Sequence, residues 1–592
     1  MKRYAGIFVF ITSFFIYLLT LSNDVTFFDS GELITSAFTY GIAHPPGYPL
    51  YVTLGHIFCY IPFGSIAFRV SLFSAFCGAF VNLTTYLTTK EILDKDDLFS
   101  ILTAMLSSFI ISFSYTHWSQ SVVTEVYTLS TCFIIFTIYL SIKFIKRGDL
   151  RYIYVACFFS GIALSAHLTA LVLIPVILFA LAYKDKKTLF NLPNLSLGMM
   201  LFLFGFTVFL HLPMRAWQLN ALLWGDPKNL SQFMWVLLRR GYEIEGPERS
   251  ISLFMQQMSS FNLIREFGFI FVFLCILGIC FVIFSRKYFY FTVITGIVLS
   301  VLNVGVVIYG NPVPENIFLL ESFHTPGYVV ISIFSALGLH FLCDSINKIK
   351  QYREIIFSFL SLLSIGFLIN LNYVKNDWSD YHIARDYGKN VLKSCLRNSA
   401  LFTWGDSGAF PLWYLQRVEK YRDDVVLLHT PHLDAYWYWN EKDKINLLDK
   451  NKIRFMWETN EGPDWMVRYL ARQLVFKMPV HLDYSTKYSV NLPGMTFVPD
   501  GIVYTYSDNP RVSRYNLFDL YVMRGLKDFD ELKDLDTEKA VSIYGFCLFD
   551  NGVNLLSNNK DLEGRELLNR AVEILPALKF QVQAILGGIL NE

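Results

Sequence analysis

Charge is scarce in this sequence. Only 17% of its 592 residues are Asp, Glu, Lys or Arg, while 54% are hydrophobic. A water-soluble chain of this length needs a larger polar surface, so the composition points to a membrane protein. An excess of one sign is also lacking. The formal net charge is +1, which leaves no electrostatic footprint for nucleic acid, and no nucleic-acid partner is expected. Paired cysteines are missing too. The nine cysteines, Cys59, Cys77, Cys132, Cys157, Cys275, Cys280, Cys343, Cys395 and Cys547, are scattered, and none is spaced as C-x-x-C. Neither a zinc site nor a disulfide framework is expected from that pattern. Internal repeats, and charges set deep in paired broken helices, are not apparent, which argues against a transporter or flippase.

Long apolar runs are what the sequence has in plenty. About eleven could cross a bilayer, near residues 5–22, 67–89, 98–115, 121–143, 152–165, 168–183, 196–212, 267–284, 288–309, 326–343 and 355–372. The first is longer than the roughly 7–15 residues of a signal-peptide core and is followed by no A-x-A site, so it reads as a retained span. The stretch 152–183 would be about 48 Å long as one helix, too long for a bilayer, and Ser165-Ala166-His167 divides it into a hairpin. Lys2 and Arg3 predict a cytoplasmic N-terminus. Alternating from there, every inner connection is basic: Lys90 and Lys95; Lys143, Lys146, Arg147 and Arg151; Lys184, Lys186 and Lys187; Arg286 and Lys287; Lys348, Lys350 and Arg353. An odd number of spans then puts the C-terminus on the extracytoplasmic side.

From residue 373 the composition turns polar. Runs at 400–405, 424–430, 478–484 and 501–506 read as strands, with helices at 411–421 and 464–475 between them, which predicts a small α/β layer. The end carries two helical periods with Ala571 late in the second and Pro576 beyond it, a pattern like a tetratricopeptide (TPR-like) hairpin that must dock on the α/β part to bury its face. The expected fold class is therefore an α-helical polytopic membrane protein with about eleven transmembrane helices, 1–372, followed by an extracytoplasmic α/β domain, 373–535, and a helical hairpin, 536–592.

The polar residues that hydropathy does not explain fall on one side of this topology. Asp29, Glu32 and His44 lie in the first outer loop, His117 in the second with Glu125 just beyond, and His167 at the hairpin tip. Arg215, Trp224, Asp226, Arg239 and Arg240 share the next outer loop. Ionisable groups near membrane depth are costly, so they tend to be paired or functional. In "DSGELITSAFTYGIAHPPGYPLY" (29–51), Pro45 and Pro46 fix two φ angles and Gly47 allows a tight turn, which would hold residues 29–44 against the span ends. Two readings stay open for the acids. They cap a short interfacial helix, or they present a carboxylate for proton transfer. His117 and His167 read first as buried, hydrogen-bonded histidines. Trp224 fits an interfacial aromatic belt, and Arg239 with Arg240 ends an apolar run that suits anionic lipid. Arg215 at a span end suits a phosphate diester or a snorkelling side chain. Asp406 in "TWGDSGAF" follows a strand and precedes a helix, where it is either a site residue or an N-cap, the cap being preferred.

The first of these stretches, with "GIALSAHLTALVLIPVIL" (161–178), "LPMRAWQLNALLWGDP" (212–227), "WGDSGAFPLWYLQRVEKYRDDVVLL" (404–428) and, more weakly, "NPVPENIFLLESFHTPGYV" (311–329), resembles the transmembrane protein 260-like family. D-x-G-E followed by G-x-x-HPPGYPLY is the specific part. The resemblance implies a GT-C-type glycosyltransferase related to protein O-mannosyltransferases, taking a sugar from a polyprenyl- or dolichyl-phosphate carrier and giving it to a protein Ser or Thr with inversion. It further implies Asp29 as the base, Glu32 as its partner or a second candidate, and Arg215 as a phosphate contact. His44, His117, His167, Trp224, Asp226, Arg239 and Arg240 are the remaining substrate-binding candidates. No essential metal or cofactor is expected, and membrane lipid and a protein acceptor are the expected partners. An enzyme of the same architecture acting on a lipid or surface glycan is the alternative, and a bacterial inner membrane is preferred to the endoplasmic reticulum.

Overall fold

The computed structural model describes residues 4–218, 221–242, 246–345, 351–440, 444, 447–459, 461–507, 513–527 and 532–589. Lys2, Arg3, Lys348 and Lys350, which entered the charge pattern, lie outside the described residues.

A helix lies at each of the eleven apolar runs. Seven are long and apolar enough to cross a membrane, or eight if the bent pair Leu98–Ser112 and Tyr115–Val122 is one span; Ala5–Leu19, Arg151–Ala166 and Leu168–Lys184 are shorter apolar helices. The chain is thus a multi-pass membrane protein. The bent pair differs from the expected second loop. Tyr115–Val122 is helical, turned by 67° from the helix before it. One of its first amides finds a partner outside the helix: buried Glu266 accepts from the Thr116 N–H at 2.8 Å, satisfying a donor that a helix start leaves open, and from the Thr116 hydroxyl at 2.7 Å. The hairpin breaks at His167 as the sequence predicts, because His167 leaves the helix with extended backbone and its Nδ1 accepts the Thr169 N–H at 3.1 Å.

The polar tail folds around a five-stranded sheet of order β2-β1-β3-β5-β4, built from Ala400–Thr403 (β1), Val426–His429 (β2), Val480–Asp483 (β3), Phe497–Asp500 (β4) and Val503–Tyr506 (β5). β1 lies parallel between β2 and β3 and is fully buried, as its Ala-Leu-Phe run requires. β5 pairs antiparallel with β3 and β4. β4 was not expected: Pro499 breaks the strand pattern, and the structure tolerates it because β4 is the edge. Helices Leu535–Ser557 and Asp561–Ile574 pack on each other, and a third, Lys579–Ile589, follows. The first is tied to the β4–β5 turn by Asn551, which donates to the Gly501 carbonyl at 2.8 Å and accepts its N–H at 3.2 Å.

The tail is clamped onto the first loop of the bundle. Trp378 N–H donates to the Thr20 carbonyl at 3.0 Å, Asn23 donates to the Ser379 carbonyl at 2.7 Å, and His382 Nδ1 meets Asp24 at 2.6 Å. The first-loop helix, Ser30–Thr39, lies against the tail helix Asp406–Arg417. Gly31 makes that approach possible, because a Cβ there would overlap the Phe410 carbonyl. The Phe28 N–H reaches the Ser407 hydroxyl at 3.3 Å. Both helices therefore begin at the same place.

Candidate active site

Asp29 stands at the N-cap of the first-loop helix, yet its side chain makes no cap hydrogen bond. Its backbone carbonyl does the capping, accepting the Leu33 N–H at 2.8 Å. The carboxylate is directed elsewhere: Oδ2 lies 3.7 Å from Nε2 of His44. Glu32, nearly one turn later, is fully buried. It accepts the His44 backbone N–H at 2.9 Å and the Ser36 hydroxyl at 3.3 Å, and its Oε2 lies 3.2 Å from His44 Nδ1. One imidazole thus bridges two carboxylates. It is held there by the turn that follows, in which the Gly47 N–H donates to the His44 carbonyl at 2.7 Å with Gly47 at φ 93°. On its other side the segment pairs with the later loop: Ile42 N–H donates to the Leu222 carbonyl at 2.7 Å and Trp224 N–H to the Ile42 carbonyl at 3.2 Å.

Burial pulls the His44 ring toward neutrality. The Asp29 charge, the Glu32 hydrogen bond and the Glu32 charge outweigh it and raise His44 to about 9. At neutral pH the ring is an imidazolium, in keeping with a carboxylate at each of its nitrogens. Burial pushes the Glu32 carboxyl above its ordinary range, with the His44 ring and backbone pulling against it.

Around this trio the structure assembles further groups. Tyr48 meets His44 edge-on at 4.8 Å, and His167 lies nearly parallel to Tyr48 at 5.8 Å, flanked by Tyr127 and Phe323. The Arg239 guanidinium is close enough for its charge to act on His44, Tyr48 and His167. The Glu125 carboxylate has one buried oxygen, Oε2, without a hydrogen-bond partner among the described residues. Asp406 comes from the tail. It is not the cap expected from the sequence: Gly405 holds the N-cap position and Asp406 the first turn. Asp406 keeps an accessible surface, but the protein crowded around it, with the Asp29 charge next in weight, lifts its carboxyl to about 7.

Five sequence candidates therefore come together: Asp29, Glu32, His44, His167 and Arg239. Others are placed elsewhere. Arg215 is at the far end of the first-loop helix, about 15 Å along it by rise per residue. There it donates to the Tyr40 carbonyl at 2.6 Å, stacks on the Tyr40 ring at 4.3 Å, and lines a recess of about 260 Å³ with Thr39, Gln218, Arg417 and Lys420. The grouping of Arg215 with Asp29 is corrected accordingly; the guanidinium serves the helix C-terminus. His117 is buried inside the bundle, its Nε2 3.1 Å from Asn82 Oδ1 and its ring against Tyr17. Trp224 touches His44 at 6.0 Å but packs mainly among Phe410, Trp413, His432 and Trp437 of the tail. Asp226 pairs with Lys228 at 2.9 Å and accepts from Asn440 at 3.3 Å, so it fastens this loop to the tail. Arg240 is exposed beyond the helix Leu230–Leu237. Sequence reasoning weighed Asp406 as a site residue and preferred a cap; the glycine before it, which takes the cap position, was the signal against the cap.

Fold and site define a polytopic membrane protein whose first loop and polar tail share one acid–histidine centre. Residues 29–190 match the model of the protein O-mannosyl-transferase TMEM260 N-terminal domain, and residues 384–474 match TMEM260-associated domain 2. The likeness to the transmembrane protein 260-like family thus holds in the bundle and in the tail. The protein O-mannosyl-transferase tmem260 of Dictyostelium discoideum is 26% identical over 478 residues, covering 73% of this chain and 57% of that protein. Its Mus musculus counterpart is 27% identical over 444 residues, covering 72% and 62%. The chain spans about three fifths of the length of these relatives. Both are eukaryotic, whereas the sequence reading favours a bacterial membrane. The structure of ArnT from Cupriavidus metallidurans bound to undecaprenyl phosphate is similar in fold, with a TM-score of 0.50, 9% identity, and coverage of 84% of this chain and 97% of that one. That likeness is one of fold.

Proposed function

We propose that this chain is an inverting membrane glycosyltransferase, moving a sugar such as mannose from a polyprenyl-phosphate carrier to a Ser or Thr hydroxyl of a protein on the extracytoplasmic side. The names of the two relatives support the reaction, and the undecaprenyl phosphate held by the structural neighbour supports the class of donor. The observation that carries the reading is the Asp29 carboxylate, which stands at a helix cap, leaves the cap bond unmade and faces an imidazolium.

The acceptor hydroxyl approaches the anomeric carbon opposite the lipid phosphate. Its oxygen forms the new bond to that carbon while its proton passes to Asp29. The bond from the anomeric carbon to the phosphate oxygen breaks, and its electron pair leaves with the phosphate. Glu32 does not touch the substrate in this scheme; it is the positioning group that holds His44. Arg239 supplies positive charge where the phosphate departs, a preorganised stabilisation, while the His44 imidazolium, with its nitrogens facing Asp29 and Glu32, holds the base in place.

The test is a transfer assay with the purified full-length chain in lipid, a panel of polyprenyl-phosphate sugars and Ser/Thr peptides. One sugar is expected to reach the peptide hydroxyl with inverted anomeric configuration. Glycosylation of lipid or glycan acceptors alone, with none of peptide, would replace the proposal by the lipid-glycan alternative.

A further inference from the structure

Asp29 has two walls. The bundle side carries His44, Tyr48, His167 and Arg239. His167 is 2% exposed; its Nδ1 accepts the Thr169 N–H, so Nε2 carries the ring proton, and Nε2 has no partner among the described residues. A buried donor left open there suits an oxygen of a ligand that arrives along the membrane. The tail side carries Asp406. Its carboxyl has no hydrogen bond or ion pair among the described residues and keeps an accessible surface. Its backbone is nonetheless fixed on every side. The Trp404 N–H reaches Asp483 Oδ2 at 3.3 Å, Ser407 links the Phe28 N–H to Asp536, and Phe410 lies against Gly31. A rigidly placed, unengaged carboxyl beside the base is a recognition group waiting for a ligand. The lipid-linked donor comes from the bundle, so the ligand on the aqueous side is the polypeptide.

We propose that the acceptor polypeptide lies in the cleft where the first-loop helix and the Asp406–Arg417 helix begin, with Asp406 hydrogen-bonding it beside the hydroxyl that Asp29 deprotonates. The proposal rests on the glycosyl-transfer reading and deepens it, making the polar tail part of the acceptor site.

Three quantities test it on the full-length chain: the KM for a Ser/Thr peptide, the KM for the polyprenyl-phosphate sugar, and hydrolysis of that sugar without peptide. In Asp406→Ala the peptide KM should rise about tenfold or more, as expected for one lost hydrogen bond to a charged or partly charged group. Donor KM and peptide-free hydrolysis should stay within about twofold. Asp406→Asn, which still donates and accepts, should recover part of the loss. Unfolding temperature should not fall, because the side chain bonds to nothing in the fold and its carboxyl is raised by the protein around it. An unchanged peptide KM in Asp406→Ala, or hydrolysis that falls in parallel with transfer, overturns the assignment. Direct binding of a fluorescent Ser/Thr peptide separates this from the reaction itself. If the wild-type chain transfers no sugar, the glycosyl-transfer reading fails, while peptide binding unaltered by Asp406→Ala overturns the acceptor site on its own.

Discussion

Replacing Asp29 by Asn removes a charge and keeps a shape. The fold should barely notice, because the Asp29 side chain makes no cap bond and Asn serves as well as Asp at a helix start. The charge does act on His44. At 3.7 Å, Coulomb's law gives about 1 kcal/mol in water and about 4.5 kcal/mol at an effective dielectric of 20. The Asp29 side chain is 32% exposed, so the lower part of that range applies, about 1–2 kcal/mol, or roughly one unit of the His44 titration. A ring that starts at about 9 then stays mostly protonated at pH 7. The variant keeps its helix and its imidazolium and loses the proton acceptor. General-base catalysis is worth about 10²–10⁴-fold, or about 2.7–5.5 kcal/mol of barrier. Transfer from polyprenyl-phosphate sugar to peptide should therefore slow by that factor, with donor KM nearly constant and unfolding temperature nearly unchanged. A purified Asp29→Asn protein working within about threefold of wild type would refute the role of Asp29, since that is far below the range for a lost base.

The cations offer a contrast: Arg239→Ala should lower transfer by about 10²–10³-fold and Arg215→Ala by only a few-fold, and the reverse order would put the leaving phosphate at the other end of the first-loop helix. His44 predicts a pH dependence. Its folded value of about 9 lies above its ordinary 6.5, so its contribution is complete below 6.5 and lost as pH rises through about 9. That contribution is about 3 kcal/mol by linkage. Unfolding temperature should then fall between pH 7 and 10 more steeply in wild type than in His44→Gln, and equal slopes would remove the imidazolium. Gly31→Ala should push the two site helices apart at a cost of about 1–3 kcal/mol, seen as faster proteolytic release of the tail; unchanged release would mean that the docking does not depend on this contact.

Much of this was legible in the chain. The apolar runs specify their helices because burial in lipid leaves a backbone few alternatives. Four strands announced themselves as short apolar runs set between helical stretches. β4 did not, because Pro499 is tolerated only by virtue of an edge position that no local pattern reveals. The acids and His44 could be singled out as a group because Pro45, Pro46 and Gly47 advertise a rigid turn next to them. What the sequence could not reveal was which distant groups share their space. Arg215 and Arg239 sit in the same loop and look equivalent, yet one serves a helix C-terminus and the other lies within electrostatic range of His44. Asp406 looks like any acid opening a helix, and only tertiary packing turns it toward Asp29.

The backbone contact at Gly31 has a mechanical consequence. Two carboxyl groups far apart in the sequence ride on helices whose main chains touch, so the pair behaves as one part. The seam resists a tilt of the tail, since the Asp29 helix is also held by His44 on the bundle side, so the fold fixes the spacing between the proposed proton acceptor and the proposed recognition group. Redesigning which polypeptide is accepted would then be a matter of changing side chains along that seam, since lengthening the linker after the last span would leave the spacing between the two acids as it is.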